Sequence, residues 1–201
     1  HRDLHSFPTR RSSDLVELVR FINAQERDAA MMAGQLDGVV SDVLAAALMV
    51  AGGFDVKITS ATDGRYGLVA RPGSTAAAMA DMAGAKVGMS INTIIQYAVD
   101  RMYTTAGITD PTGKGAYEAV AIPKMPVRME MLVTGQVDAA GLPEPFLTAA
   151  VQRGGILIAG TDALGIDAGI MLFRSEVIGK RLADIKAMYE GYDTAAQRIV
   201  V

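Results

Sequence analysis

GQVDAAGLPEPF (135–146) has a counterpart a hundred residues earlier, GQLDGVVSD (34–42). Shifting the chain against itself by 101 residues brings Gly34-Gln35 onto Gly135-Gln136 and Asp37 onto Asp138. The same shift pairs Glu17 with Glu118, Val19 with Val120 and Arg27 with Arg128, and brings Met31 close to Met131. Short solenoid repeats have periods of about 20–50 residues. A longer offset points instead to one supersecondary unit used once in each of two lobes.

Each unit reads as strand, helix, strand. VELVRFI (16–22) and YEAVAIP (117–123) are short β-rich runs. NAQERDAAMMAGQ and KMPVRMEMLVTGQ follow, with apolar residues at helical spacing. Asn23 suits an N-cap and Pro126 a first helical turn. Gly34 and Gly135 sit where a glycine ends a helix. LDGVVS (36–41) and VDAAGL (137–142) supply the next strands. Strand–helix–strand over such a length predicts a βαβ unit in a parallel sheet. Gly-Gln-x-Asp is then a helix stop followed by a strand start. The repeats diverge after this point. The first continues Ser41-Asp42 into an apolar helix, and the second Pro143-Glu144-Pro145-Phe146 into another. Polar groups at the carboxyl end of a strand and the start of a helix are where open α/β sheets hold ligands. The same positions suit plain helix caps favoured by the helix dipole, and the sequence leaves both readings open for Asp42 and Glu144.

FDVKITS (54–60) and GGILIAGTD (154–162) are further strands, and DPTGKG (110–115) is a turn-rich loop. STAAAMADMAGAKVGMS (74–90) predicts a helix, a glycine stop and a strand. INTIIQYAVDRMYTTAG (91–107) predicts a long helix with Ser90, Asn92 and Thr93 at its start. YGLVARP and AGIMLFR resemble each other and suit two segments crossing between lobes. The expected division is lobe one over 16–66, a hinge strand over 67–72, lobe two over 73–167 and a second hinge strand over 168–174. A helical return onto lobe one follows over 175–201.

HRDLHSFPTRRSSDL (1–15) differs from the rest. From His5 onward it back-translates to a string resembling a common sequencing-library adapter read in frame, and it is set aside from fold reasoning. Both histidines lie there, so the remainder has no His, Cys or Trp. Three of the 19 Lys and Arg and two of the 22 Asp and Glu also lie there, so the net charge of −3 becomes −4. A mildly acidic chain lacks the electrostatic footprint of a nucleic-acid binder. Without Cys or His, thiolate metal sites, disulfides and the commonest general bases are excluded. These absences point away from an enzyme. The longest apolar runs are too short to span a bilayer.

AGQLDGVVSD (33–42), DMAGAKVGMS (81–90) and TGQVDAAGLPEPFLTAA (134–150) together resemble one family. It is that of the periplasmic-type substrate-binding proteins of ABC importers, in the nitrate, taurine, aliphatic-sulfonate and thiamine-pyrimidine group. The resemblance spans nearly all of 16–201. It implies the α/β, two-lobed periplasmic-binding-protein type II fold, with two parallel-type lobes joined by two crossing strands. A small-molecule ligand would be held in the cleft by hinge closure and passed to ABC permease and ATPase subunits. It implies no catalysis, no cofactor, no metal and no nucleic acid. The expected protein is a monomer, periplasmic or an extracellular lipoprotein, touching the membrane only through the transporter or an anchor. Carried over by position, the ligand-binding residues are Asn23, Ser41 and Asp42 in lobe one. Those of lobe two are Ser90, Asn92, Thr93 and Glu144, with Lys124 as a further candidate. Hydroxyl, amide and helix N-terminal N–H groups suit an anion or carbonyl, whereas Asp42 and Glu144 suit an amine or ring N–H. The family's first strand and helix are expected before Val16 and its last helices after Val201. Two other readings share the two-lobed fold: an enzyme like the thiamine-pyrimidine synthases or chorismate dehydratases, and the effector domain of a LysR-type regulator.

Overall fold

A computed structural model of the protein describes residues 16–62, 64–108, 116–165 and 168–199. Residues 1–15, the expected loop at 110–115 and the last two residues lie outside that description.

The Gly-Gln-x-Asp repeat does the same structural work twice. Helix α1 (Ala24–Met32) precedes strand β1 (Gly38–Asp42), and helix α4 (Met125–Val133) precedes strand β6 (Ala139–Pro143). Gly34 and Gly135 both have φ of 73°. This left-handed conformation costs an L-residue with a Cβ about 1–2 kcal/mol. Behind them the Gln35 N–H donates to Ala30 O at 3.0 Å and the Gln136 N–H to Met131 O at 2.8 Å. These bonds wrap each helix end in a Schellman-type turn. The two aspartates then hold the chain arriving from the other lobe. Asp37 O accepts from the Arg174 N–H at 3.1 Å, and Asp138 O accepts from the Arg71 N–H at 2.9 Å. The Asp37 carboxylate adds Arg174 Nη2 at 3.1 Å and Arg181 Nη1 at 2.8 Å. The Asp138 carboxylate accepts the Lys86 N–H at 2.9 Å.

Lobe two is a five-stranded sheet in the order β5-β4-β6-β3-β7. The strands are β3 (Tyr66–Ala70), β4 (Lys86–Met89), β5 (Glu118–Ala121), β6 and β7 (Ile156–Gly160). β5, β4 and β6 are parallel, and β3 runs antiparallel between β6 and β7. Helix α3 (Ile94–Thr105) covers one face through Ile95, Ala98, Val99 and Met102. Helices α4 and α5 (Phe146–Gln152) cover the other through Leu132, Leu147 and Ala150. Burial on both faces explains why β6 is a continuous apolar run rather than an alternating one. Gly141 belongs to this contact, because a Cβ there would meet Ile95 Cγ2 at 2.8 Å. Burying one such leucine fully is worth about 1.5–3 kcal/mol.

Lobe one is a three-stranded sheet in the order β1-β8-β2, from β1, β2 (Val56–Thr62) and β8 (Gly169–Arg174). β1 and β2 both pair antiparallel with β8. They therefore point the same way, with the returning strand between them. α1 and α2 (Val43–Ala51) pack Met31, Ala46 and Met49 against Val56, Ile170 and Leu172. α6 (Ser175–Ile199), bent at Arg181, packs Val177 and Ile185 on Phe173.

Two expectations fail. Residues 16–22 form no strand, and Leu18 is 91% exposed. β1 pairs with β8 alone among the described residues, so the first lobe's unit is helix–strand rather than βαβ. β-propensity is realised only against a neighbouring strand. The helix expected after residue 74 is a single 3₁₀ turn, Met79–Met82, because the Asp81 carboxylate takes the N–H groups of Ala77 and Ala78 and closes the turn locally.

Candidate functional site

The carboxyl ends of β1, β4 and β6 and the loops that follow them carry most of the residues expected from sequence, while Asn23 and Lys124 precede α1 and α4. In lobe one Asp42 ends β1 and caps α2, its Oδ1 accepting the Ala45 N–H at 2.8 Å. The residue is 5% exposed. Burial pushes its carboxyl above the usual range, while the Ala45 N–H and the Arg27 guanidinium pull the other way. Arg27 Nη2 lies 3.6 Å from Asp42 Oδ2, and Arg27 Nε donates to Asp28 Oδ1 at 2.8 Å. Ser41 is buried, and its Oγ has no hydrogen-bond partner among the described residues. Asn23 caps α1, accepting the Glu26 N–H at 2.8 Å. Tyr66, at the start of β3, joins this group. Burial, with the Asp42 charge adding to it, pushes its hydroxyl up to about 12.

In lobe two Ser90 follows β4 directly and is buried. Thr93 caps α3, accepting the Ile95 N–H at 3.3 Å, and spends its own hydroxyl on Ser90 O at 2.9 Å. Asn92 is exposed, with φ of 57°, and its N–H donates to Gln96 Oε1 at 2.7 Å. Glu144 follows β6 and accepts the Thr148 N–H of α5 at 3.1 Å. Lys124 precedes α4, is exposed and makes no side-chain cap.

The residue that organises these strand ends was not a sequence candidate. Arg128 of α4 is 0% exposed. Its Nε and Nη2 donate to Ile122 O at 2.8 and 2.7 Å, and its Nη1 to Gly141 O at 2.8 Å. Nη2 also donates to Ser90 Oγ. One guanidinium thus ties together the carboxyl ends of β5 and β4 and the middle of β6. Burial lowers its pKa to about 10, which leaves it charged at neutral pH. The only signal for it in the sequence is its repeat partner, Arg27.

The two sets of strand ends lie close together. Leu44, in the first turn of α2, packs against the lobe-two cluster that contains Ile94 and Ile95, alongside Tyr66 and Ile91. A shallow depression of about 500 Å³ lies elsewhere, lined by Arg71, Ser74, Asp81 and Asp138 near the starting ends of β4 and β6. Its carboxylates are occupied by main-chain N–H groups. No cluster of three His, Cys, Asp or Glu suited to a metal occurs among the described residues. No helix among them is long and apolar enough to cross a membrane.

No protein-family model matches the chain, and no curated sequence is similar to it. Solved structures are similar in fold. The ligand-binding component of an ABC-type import system from Staphylococcus aureus, with zinc bound, superposes with a TM-score of 0.72 at 15% identity, over 88% of this chain and 61% of that one. The alkanesulfonate-binding protein from Xanthomonas axonopodis pv. citri, bound to MOPS, gives 0.72 at 16% identity, over 88% and 61%. The periplasmic aliphatic sulphonate binding protein from Escherichia coli gives 0.68 at 18%, over 89% and 62%. The chain spans about three fifths of the length of these proteins. Its two α/β lobes, each sheet completed by a strand that crosses from the other, have the two-lobed fold of ABC-importer binding proteins.

Proposed function

We propose that the protein is a solute receptor of the nitrate, taurine, aliphatic-sulfonate and thiamine-pyrimidine group. It captures a small molecule between its lobes and delivers it to an ABC permease and its ATPase. The observation that carries this reading is the meeting of two sets of strand ends, Ser41-Asp42 beneath α2 and Ser90 to Thr93 beneath α3, in a fold shared with import-system binding proteins. Ligand contact would come from Asn23, Ser41 and Asp42 on one side and from Ser90, Asn92, Thr93 and Glu144 on the other. Segments 67–72 and 168–174 act as the crossing elements about which the lobes close. The site works outside the cytoplasmic membrane, as a monomer, without cofactor or chemistry.

The test is a thermal-shift screen of the purified protein against sulfonates, amino acids, nitrate and pyrimidines, followed by small-angle scattering with any hit. A solute at a hundred times its Kd stabilises the folded state by about 2.7 kcal/mol. A hit that raises the melting temperature and reduces the radius of gyration supports the receptor. Turnover of the solute, or no hit across the classes, sinks it.

A further inference from the structure

The two crossing segments are sheet strands over most of their length. β3 is bonded on both sides within lobe two, between β6 and β7, and β8 on both sides within lobe one, between β1 and β2. A strand held on both edges cannot absorb a rotation of one lobe against the other, so the turning falls where these strands begin. Lobe one is bonded as far as Thr62, which pairs with Gly169. Lobe two is bonded from Arg65 onward and as far as Asp162. Arg65 O accepts the Glu144 N–H at 3.1 Å, the Tyr66 N–H donates to Thr161 Oγ1 at 3.1 Å, and Tyr66 O accepts the Thr161 N–H at 2.9 Å. Arg65 then forks onto the Asp162 carboxylate, Nη2 to Oδ2 at 3.1 Å and Nε to Oδ1 at 3.4 Å.

Between these limits the two segments touch at glycines. A Cβ on Gly64 would lie 3.3 Å from Gly169 Cα, and one on Gly169 would lie 3.2 Å from Gly64 Cα and collide with Thr62 Oγ1. The two backbones are in direct contact with no side chain between them, a close approach that suits glycine. Ala168, beside this contact, belongs to both lobes. Its side chain is buried in the lobe-two cluster, and its O accepts the Val43 N–H of α2 at 3.0 Å. A third glycine makes room for the ion pair, because a Cβ on Gly160 would collide with Asp162 Oδ1. We propose that the lobes pivot on the Gly64–Gly169 contact, and that the Arg65–Asp162 fork makes the two crossing segments turn about it as one body. Hinges are a few residues at element ends that take up the φ/ψ change. The fork ties the first segment to the second at the boundary of lobe two. Without it, bending spreads into the start of β3. This assignment deepens the closure step of the receptor reading above and depends on no particular solute.

The chain has no Cys, so dyes on Lys57→Cys in β2 and Gln152→Cys in α5, both exposed, report the distance between lobes by single-molecule energy transfer without solute. Circular dichroism confirms that each variant is folded. The unliganded protein shows a main and a minor population. Asp162→Asn and Arg65→Gln each raise the minor share about two- to fivefold, as the loss of an exposed ion pair allows, and the double variant raises it no further. Gly64→Ala, whose methyl bears on Gly169, depletes the minor share. Gly179→Ala, which adds a methyl in open space on α6, leaves it unchanged. A minor share that Gly64→Ala does not alter overturns the pivot, and one that Asp162→Asn does not alter overturns the role of the fork. One sharp distance that no variant moves overturns both and removes lobe closure from the receptor reading. A solute screen without a hit sinks the receptor and leaves the pivot in place, because no solute enters this measurement.

Discussion

Lobe one and lobe two begin from the same words and end with different cores. In both, a helix stops at a glycine with φ of 73°, and an aspartate receives the N–H of an arginine arriving from the other lobe. In lobe two the next strand enters a five-stranded sheet covered on both faces. In lobe one it enters a three-stranded sheet with one neighbour, and Val40 on it remains exposed. The matching arginines follow the same division. Arg128 is enclosed and holds three strands, whereas Arg27 is partly exposed and pairs with two aspartates. A shared motif thus fixes local geometry, while the neighbours it meets decide how much of it is buried.

The widest gap between the lobes should appear on removing the two arginines. Arg128→Met leaves the Ile122 and Gly141 carbonyls and the Ser90 hydroxyl without their donor, and should cost about 3 kcal/mol or more in urea unfolding. Arg27→Met removes a partly exposed arginine from a buried carboxylate that keeps the Ala45 N–H, and should cost less, about 1–2 kcal/mol. Equal losses would break the contrast. The glycines should show no such gap. Gly34→Ala and Gly135→Ala each force a Cβ into left-handed backbone and should each cost about 1–2 kcal/mol. A large difference between them would mean that surroundings, rather than backbone conformation, set the price. Thr93→Ala removes the cap of α3 and should cost about 1 kcal/mol in the same assay.

The smallest effect is one of pH. Burial raises the Asp42 carboxyl in the folded protein above its unfolded value. The folded state then binds more protons across that interval, so this group's contribution to stability falls as pH rises from the ordinary carboxylate value through the raised one. Asp42→Asn keeps an oxygen for the Ala45 N–H and should remove that slope. Urea midpoints between about pH 4 and about pH 7 would show it, and an unaltered slope would place the effect elsewhere.

Much of this was legible from residues alone. Asn23, Asp42 and Thr93 cap their helices as their types and positions imply, and Pro126 lies in the first turn of α4. Helix stops and caps depend on groups within four or five residues, so the local sequence contains both partners. The strand expected at 16–22 shows the limit. VELVRFI has the composition of a strand, yet a strand exists only against another, and none pairs with it among the described residues. The 3₁₀ turn at Met79–Met82 shows another limit, because Asp81 competes with helix propensity by bonding N–H groups just before it.

The candidate site divides in the same way. Asp42, Thr93 and Glu144 lie between a strand and a helix as the sequence suggests, Asn23 caps its helix with no strand before it, and each bonds a main-chain N–H. Arg128 gave no such signal. In the sequence it is one arginine in an amphipathic stretch, where a solvated position is the ordinary expectation. Its burial follows from the convergence of β4, β5 and β6, whose contacting residues lie 38 residues before it, 6 before it and 13 after it in the chain.

The sequence by itself determined the repeat, the helix ends, the caps and the alternation of elements that makes two α/β lobes, because these rest on short-range hydrogen bonds and backbone preferences. Only the tertiary structure decided that β8 would lie between β1 and β2, that β3 would lie between β6 and β7, and that the Arg128 guanidinium would be buried against two main-chain carbonyls and the Ser90 hydroxyl. Strand neighbours and burial depend on groups far apart in the chain, and the free energy of a charge depends on everything that replaces its water.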